Sequence, residues 1–356
     1  MTGGELALID EVLRSDYLND GQFTRRFEEA IAGRVGATYA VGVTSGTVAI
    51  FLALAALSIG PGDEVVVPDL TFIATANAVR LAGATVVLAD VDQRTLTLDP
   101  ASFEAAITPR TRAVIPVHVS GRGADMEAII AIARRHAVAV VEDAAEAFLS
   151  RRRGRALGTL GELGCLSFSP NKSITTGQGG MVLTNDSRLH DRLRELKDQG
   201  RRHQGTGGDD EHPVMGFNFK LTNLQSAVGL AQLEDVDRRV GRQIEIRRTY
   251  SAELGGMAGL RLPAFDLDGG EVPLWTDAVV PGRRDALDSF LRSRGAECRR
   301  FWHPIHSQGP YRASADRFPG TCAIAPDAVW LPSAFTLSNA DVSRVCGLIR
   351  EFMAAA

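Results

Sequence analysis

Short apolar runs alternate with longer amphipathic stretches through the first half of the chain. Tyr39 to Val43 reads as a strand, followed by a helix over Thr47 to Leu57. Glu64 to Val67 is the next strand, introduced by the turn Pro61-Gly62-Asp63, and a helix over Phe72 to Leu81 ends at Gly83 as its C-cap. Thr85 to Leu88, Ala113 to Val117 and Val138 to Val141 are further strands, with helices over Ser102 to Ile107 and Asp125 to His136 between them. Each strand is apolar almost throughout, which is the pattern of a strand buried on both faces. The alternation therefore predicts an α/β fold whose sheet is mostly parallel and flanked by helices. A long helical pattern runs from about Leu224 to about Leu254, and Gly- and Pro-rich turns and a shorter mixed α/β segment follow it. The change of pattern predicts a large domain over 1–240 and a smaller C-terminal α/β domain over 241–356.

Open α/β sheets bind ligands beyond the carboxyl ends of their strands. Four turns there are predicted to converge on one pocket: Thr44-Ser45-Gly46-Thr47, Pro68 to Phe72, His118, and Glu142-Asp143-Ala144-Ala145-Glu146. The first opens a helix, where free N–H groups and the helix dipole favour an anion; it reads either as a phosphate cup or as a plain Ser/Thr N-cap. Asp143 ends an apolar strand, where a carboxylate is costly unless paired. It reads either as the partner of a protonated ring nitrogen, as pyridoxal phosphate requires, or as an N-cap with Glu146 completing a capping box. Lys172 lies between an apolar strand (Cys165 to Phe168) and a Gly-rich turn into Met181 to Thr184. A loop lysine is ordinarily solvated, but one set among small hydroxyl residues and glycines is a candidate Schiff-base nucleophile.

The composition narrows the field. Of 356 residues 45% are hydrophobic, enough for a sizeable core, and 23% are charged with a net charge of −4, which gives no electrostatic case for nucleic acid. The arginine runs Arg151 to Arg153 and Arg201-Arg202 read as solvated loop faces. The four cysteines are scattered and form no C-x-x-C pair, so neither a disulfide framework nor a zinc site is expected, and the compartment reads as a reducing cytoplasm. No secretory leader and no membrane span is expected. His303-Pro304-Ile305-His306 has no obvious third ligand and reads as pocket lining or packing rather than a metal site. No glycine fingerprint for a dinucleotide or a nucleoside triphosphate follows a strand, which disfavours a nucleotide-binding oxidoreductase.

Taken in order, these segments carry a resemblance along nearly the whole chain. Thr44 to Thr47, Pro61-Gly62-Asp63-Glu64-Val65, Thr71 to Ala78, Val141 to Glu146, Ser167 to Met181 and Gly216 to Gln225 together resemble the DegT/DnrJ/EryC1/StrS family of sugar aminotransferases. The Asp143 and Lys172 segments look closest to the branch acting on nucleotide-linked 4-keto-6-deoxy sugars. The resemblance implies the fold-type I architecture of pyridoxal 5'-phosphate enzymes, and transfer of an amino group from an amino acid, L-glutamate by family expectation, to a nucleotide-linked keto sugar by ping-pong chemistry.

It also implies roles. Lys172 would hold the cofactor and shuttle protons; Asp143 would pair with the ring nitrogen; Glu146 would lie on the ring-hydroxyl side; Phe72 would stack on the ring. Gly46, Thr47 and Ser167 would hold the phosphate, and Asn218, with Lys220, would reach that phosphate from a second subunit of a homodimer with shared active sites. His303, His306 and Tyr311 would lie near the sugar or nucleotide. The chain departs from the family pattern at Gln178, at Gly123, over Phe148 to Arg153 and at Leu331-Pro332-Ser333-Ala334, on the substrate side more than the cofactor side. Two other readings within this resemblance are a sugar dehydratase, which would carry histidine in place of Lys172, and a non-catalytic, cofactor-binding regulatory protein.

Overall fold

Seven strands form the central sheet: β1 (Tyr39–Val43), β2 (Glu64–Pro68), β3 (Thr85–Ala89), β4 (Thr111–Val114), β5 (Ala139–Asp143), β6 (Leu163–Ser167) and β7 (Gly180–Thr184). The computed structural model describes residues 3–201 and 210–355, so Arg202 lies outside the described residues. The strand order is β1-β7-β6-β5-β4-β2-β3. The pairings β2–β3, β2–β4, β4–β5 and β5–β6 are parallel, while β7 runs antiparallel to both β6 and β1. Val65, Val66 and Val67 show why the strands are continuously apolar: each is fully buried because helices cover both faces. The helix Gly46–Ala56, between β1 and β2, is apolar around its whole circumference, with Ala49, Leu52, Ala53 and Leu54 fully buried between the sheet and its neighbouring helices.

A smaller three-stranded antiparallel sheet follows, built from β8 (Thr276–Val279), β9 (Arg299–Arg300) and β10 (Ala328–Leu331) in the order β8-β10-β9. It has its own core, in which Ile246, Tyr250 and Leu254 pack on Leu287, Leu291, Val342 and Ile349. A further cluster joins the two sheets, with Leu70, Val91, Val117 and Val119 from one side meeting Phe301 and Trp330 from the other.

Three local expectations change. The helical pattern from Leu224 to Leu254 is two helices, Asn223–Glu234 and Val236–Leu254. Asp235 leaves helical geometry (φ −103°, ψ 3°), and its carboxylate accepts from Arg238 and Arg239, so a polar side chain holds the break that the apolar periodicity conceals. The strand expected over Ala113 to Val117 stops at Val114, because Pro116 cannot donate to the ladder; Val117 keeps a single bridge to Asp143. The helix expected from Phe72 begins at Ala74, leaving Phe72 outside it. Among the described residues no helix is long and apolar enough to cross a membrane. Arg152 and Arg153, in a small hairpin, pair with Glu127 rather than facing solvent alone.

Candidate active site

At the carboxyl end of β1 the chain turns into the helix Gly46–Ala56. Ser45 is extended there, and its hydroxyl accepts from the Val48 N–H at 3.2 Å, so the N-cap reading holds. It does not exclude the cup. The first main-chain bond of the helix is Ala49 N–H to Ser45 O, which leaves the Gly46 and Thr47 N–H groups ahead of it, directed out of the helix end. Ser167, at the end of β6, closes against them: a Cβ on Gly46 would stand 2.8 Å from Ser167 Cβ, so only glycine brings strand and helix this close.

Asp143 ends β5. One carboxylate oxygen accepts from Thr75 Oγ1 at 2.7 Å, the other from Ala145 N–H at 3.1 Å, and no helix follows it, so the capping-box alternative fails. Burial raises the Asp143 carboxyl above its ordinary range, and the Thr75 hydroxyl, the Ala145 amide and the Lys172 charge only partly oppose this. A buried acceptor in that condition calls for a cation within reach.

Lys172 is not a solvated loop lysine. Its side chain is 13% exposed, and Nζ lies 3.2 Å from Glu146 Oε1. Glu146 is held in turn by the Ser120 N–H at 2.9 Å on its other oxygen and by Trp275 Nε1 at 3.4 Å. Ser120 takes up a left-handed conformation (φ 56°) to aim that N–H, and its hydroxyl donates to Asp277 at 2.6 Å. Ser120 itself was not apparent as a site residue, because nothing in the sequence marks a non-glycine residue with positive φ.

Gly46, Thr47, Phe72, Asp143, Glu146, Ser167 and Lys172 all line one cleft of about 340 Å³. Phe72 is 53% exposed, an apolar face left open in a cleft of polar groups. The opposite wall is built by Trp275, Arg299, Trp302 and Trp330, which sequence reasoning missed because they come from a separate sheet more than 100 residues later in the chain. The groups fit pyridoxal phosphate: a helix end for its phosphate, a buried carboxylate for its ring nitrogen, an aromatic face and a shielded amine.

His303, His306 and Tyr311 do not line the cleft, and Asn218 and Lys220, expected to act from a second subunit, lie apart from it in this chain. His306 is buried, with Nδ1 2.6 Å from Asp69 Oδ2, its N–H bonded to the same carboxylate and its ring stacked on Phe318. Its main-chain N–H and Nδ1 are thus engaged by Asp69, outside the cleft lining. Tyr311 donates to Asn77 Oδ1 at 2.7 Å outside the cleft lining. His303 is exposed beside Trp302. Asn218 is exposed and forms an isolated main-chain β-bridge with buried Asp198, and Lys220 is ion-paired with the same Asp198.

Comparison with known proteins returns one family. The model of the DegT/DnrJ/EryC1/StrS aminotransferase family matches residues 1–350. The GDP-perosamine synthase of Caulobacter vibrioides is 40% identical over 99% of this chain and 96% of its own length. The spore coat polysaccharide biosynthesis protein SpsC of Bacillus subtilis is 41% identical over 99% and 95%. Among solved structures, S. venezuelae DesV in complex with a ketimine intermediate superposes with a TM-score of 0.93 at 37% identity, covering 98% of this chain and 94% of that one.

Proposed function

The chain belongs to the DegT/DnrJ/EryC1/StrS aminotransferase family, and from that premise we propose that it moves an amino group from an amino acid onto a nucleotide-linked keto sugar. It is a pyridoxal-phosphate-dependent transaminase. The observation that carries the reading is the presence in one cleft of a shielded Lys172, 3.2 Å from Glu146, and the buried carboxylate of Asp143.

The bound cofactor supplies an aldehyde carbon that carries the amino group and a ring that takes up negative charge. Gly46 and Thr47 offer their N–H groups, and Ser167 its hydroxyl, to the phosphate. Asp143 would pair with the ring nitrogen, with Thr75 and Ala145 holding the carboxylate still. Phe72 would lie against the ring. The Lys172 amine would hold the cofactor, and its Nζ would carry the proton in each half of the reaction. Glu146 keeps that amine oriented towards the cleft, and the three tryptophans of the far wall restrict water.

The donor in this reading is L-glutamate and the acceptor a 4-keto-6-deoxyhexose, in keeping with the perosamine synthase relatives. The two substrates use the cleft in turn, in ping-pong order. The chain works as a homodimer in the cytoplasm, with exposed Asn218 reaching the partner's cleft, and residues 241–356 form the smaller domain. His303 and Tyr311 stay assigned to the rim where the nucleotide enters.

The test is incubation of the holoenzyme with L-glutamate and a panel of GDP- and dTDP-linked 4-keto-6-deoxy sugars, followed by mass spectrometry. One aminated nucleotide sugar is the expected product. Turnover of none of them, by a protein that carries the cofactor, would overturn the acceptor assignment.

A further inference from the structure

The two walls of the cleft differ in character. The wall from the seven-stranded sheet supplies the groups assigned to the cofactor. The wall from the small sheet is aromatic, with a single charge. Among the described residues lining the cleft, two side chains are cationic, Lys172 and Arg299. Lys172 is committed to Glu146.

Arg299 has no carboxylate partner among the described residues, and its neighbour shows why this is distinctive. Successive residues of a strand point to opposite faces. Arg300 points away and pairs with Asp285 at 3.1 Å. Arg299, in register with Trp330, lays its guanidinium over that indole at 5.3 Å from the ring centroid, on the cleft side. Trp330 is itself fixed: it is 3% exposed, its Nε1 bonds Asp277 at 2.9 Å, and Trp302 packs edge-on at 4.9 Å. A guanidinium stacked on a rigid ring keeps its N–H edge free and loses little entropy on making a forked hydrogen bond.

The charge balance gives this edge a task. Lys172 is paired with Glu146, and Asp143 is assigned to the cofactor's ring nitrogen, so no cation at the reacting end is left over for an approaching anion. Every substrate of the proposed reaction is an anion. We propose that Arg299 is the anion anchor of the substrates, binding the oxygens of a carboxylate or a diphosphate across the cleft from Lys172. The inference rests on the transaminase reading given above.

Arg299→Gln and Arg299→Lys test it in the holoenzyme. The absorbance of the bound cofactor follows the half-reaction with L-glutamate, and calorimetry measures binding of GDP. Loss of a charge-assisted fork raises the half-saturating ligand concentration roughly 10- to 100-fold in Arg299→Gln. The limiting rate of the half-reaction stays within a few-fold, and Arg299→Lys recovers part of the affinity. An effect on L-glutamate identifies the anion as the donor carboxylate; an effect on GDP identifies it as the diphosphate. Affinities for both within twofold of wild type overturn the proposal. A wild type that L-glutamate does not convert would count against the transaminase reading instead, and the GDP measurement then decides the case of Arg299 by itself.

Discussion

Replacing Gly180 by alanine tests the geometry of the phosphate cup without touching any group assigned to the cofactor. Gly180 opens β7, paired with Val43 on one side and Ser167 on the other. A Cβ there would stand 2.4 Å from the Ser45 carbonyl oxygen and 2.8 Å from the Gly46 nitrogen. Ordinary contacts need roughly 3.5 Å, so the turn must retreat by about 1 Å, and it is backbone that cannot rotate aside. Overpacking of this kind costs about 1–3 kcal/mol of stability. The same retreat misaligns the Gly46 and Thr47 N–H groups. Charge-assisted hydrogen bonds contribute about 1.5–3 kcal/mol each, so loss of one weakens cofactor binding roughly 10- to 100-fold. Gly33→Ala is the control: nothing lies within 4 Å of its added Cβ, and in a helix interior alanine is favoured by up to about 1 kcal/mol. Fluorescence titration of the apoprotein with pyridoxal phosphate, beside urea unfolding, reads both quantities. A Gly180→Ala protein that is destabilised yet binds the cofactor as wild type does would refute the link between this close approach and the cup.

Other predictions concern buried charge. Asp277→Asn leaves Arg122, 2% exposed and bonded to Asp277 at 2.5 Å, without a counter-charge, and should cost about 3–5 kcal/mol in urea unfolding; a loss under 1 kcal/mol would contradict the account. Asp143 gives a pH dependence. Burial raises its carboxyl above 3.8, so the folded apoprotein holds that proton to higher pH than the unfolded chain does. The contribution is favourable below 3.8 and is lost as pH rises through the folded value. Wild-type apoprotein should therefore lose stability relative to Asp143→Asn as the pH rises through that window, a trend the bound cofactor should abolish by supplying a cation. Parallel pH profiles for the two apoproteins would show that Asp143 is not under this strain.

Much of this arrangement is legible in the residues alone, and the parts that are not share a cause. β1 and the strand before Lys172 announce themselves through apolar runs that lead into small hydroxyl residues and glycines, a local signal. Asp143 stands out because a carboxylate closes an apolar strand. The position of His306 is not legible because the sequence shows a polar residue in a loop and not its partner: Asp69, 237 positions away, holds the imidazole Nδ1. The tryptophan wall and Arg299 are invisible for the same reason, since the edge of one sheet meets the mouth of another only after the chain has folded. The break at Asp235 escapes the periodicity because what separates the two helices is their packing partners, Val12 and Phe23 for the first and the small-domain core for the second, which the chain brings together only on folding.

The most direct test of the central claim is the absorbance spectrum of the purified protein with pyridoxal phosphate, before and after L-glutamate, beside Lys172→Ala. Wild type should show the band of a lysine-bound cofactor, and L-glutamate should convert it to the pyridoxamine form; Lys172→Ala should show neither the band nor the conversion. A wild type that binds the cofactor but whose spectrum no amino donor changes, or one whose band persists in Lys172→Ala, would contradict it.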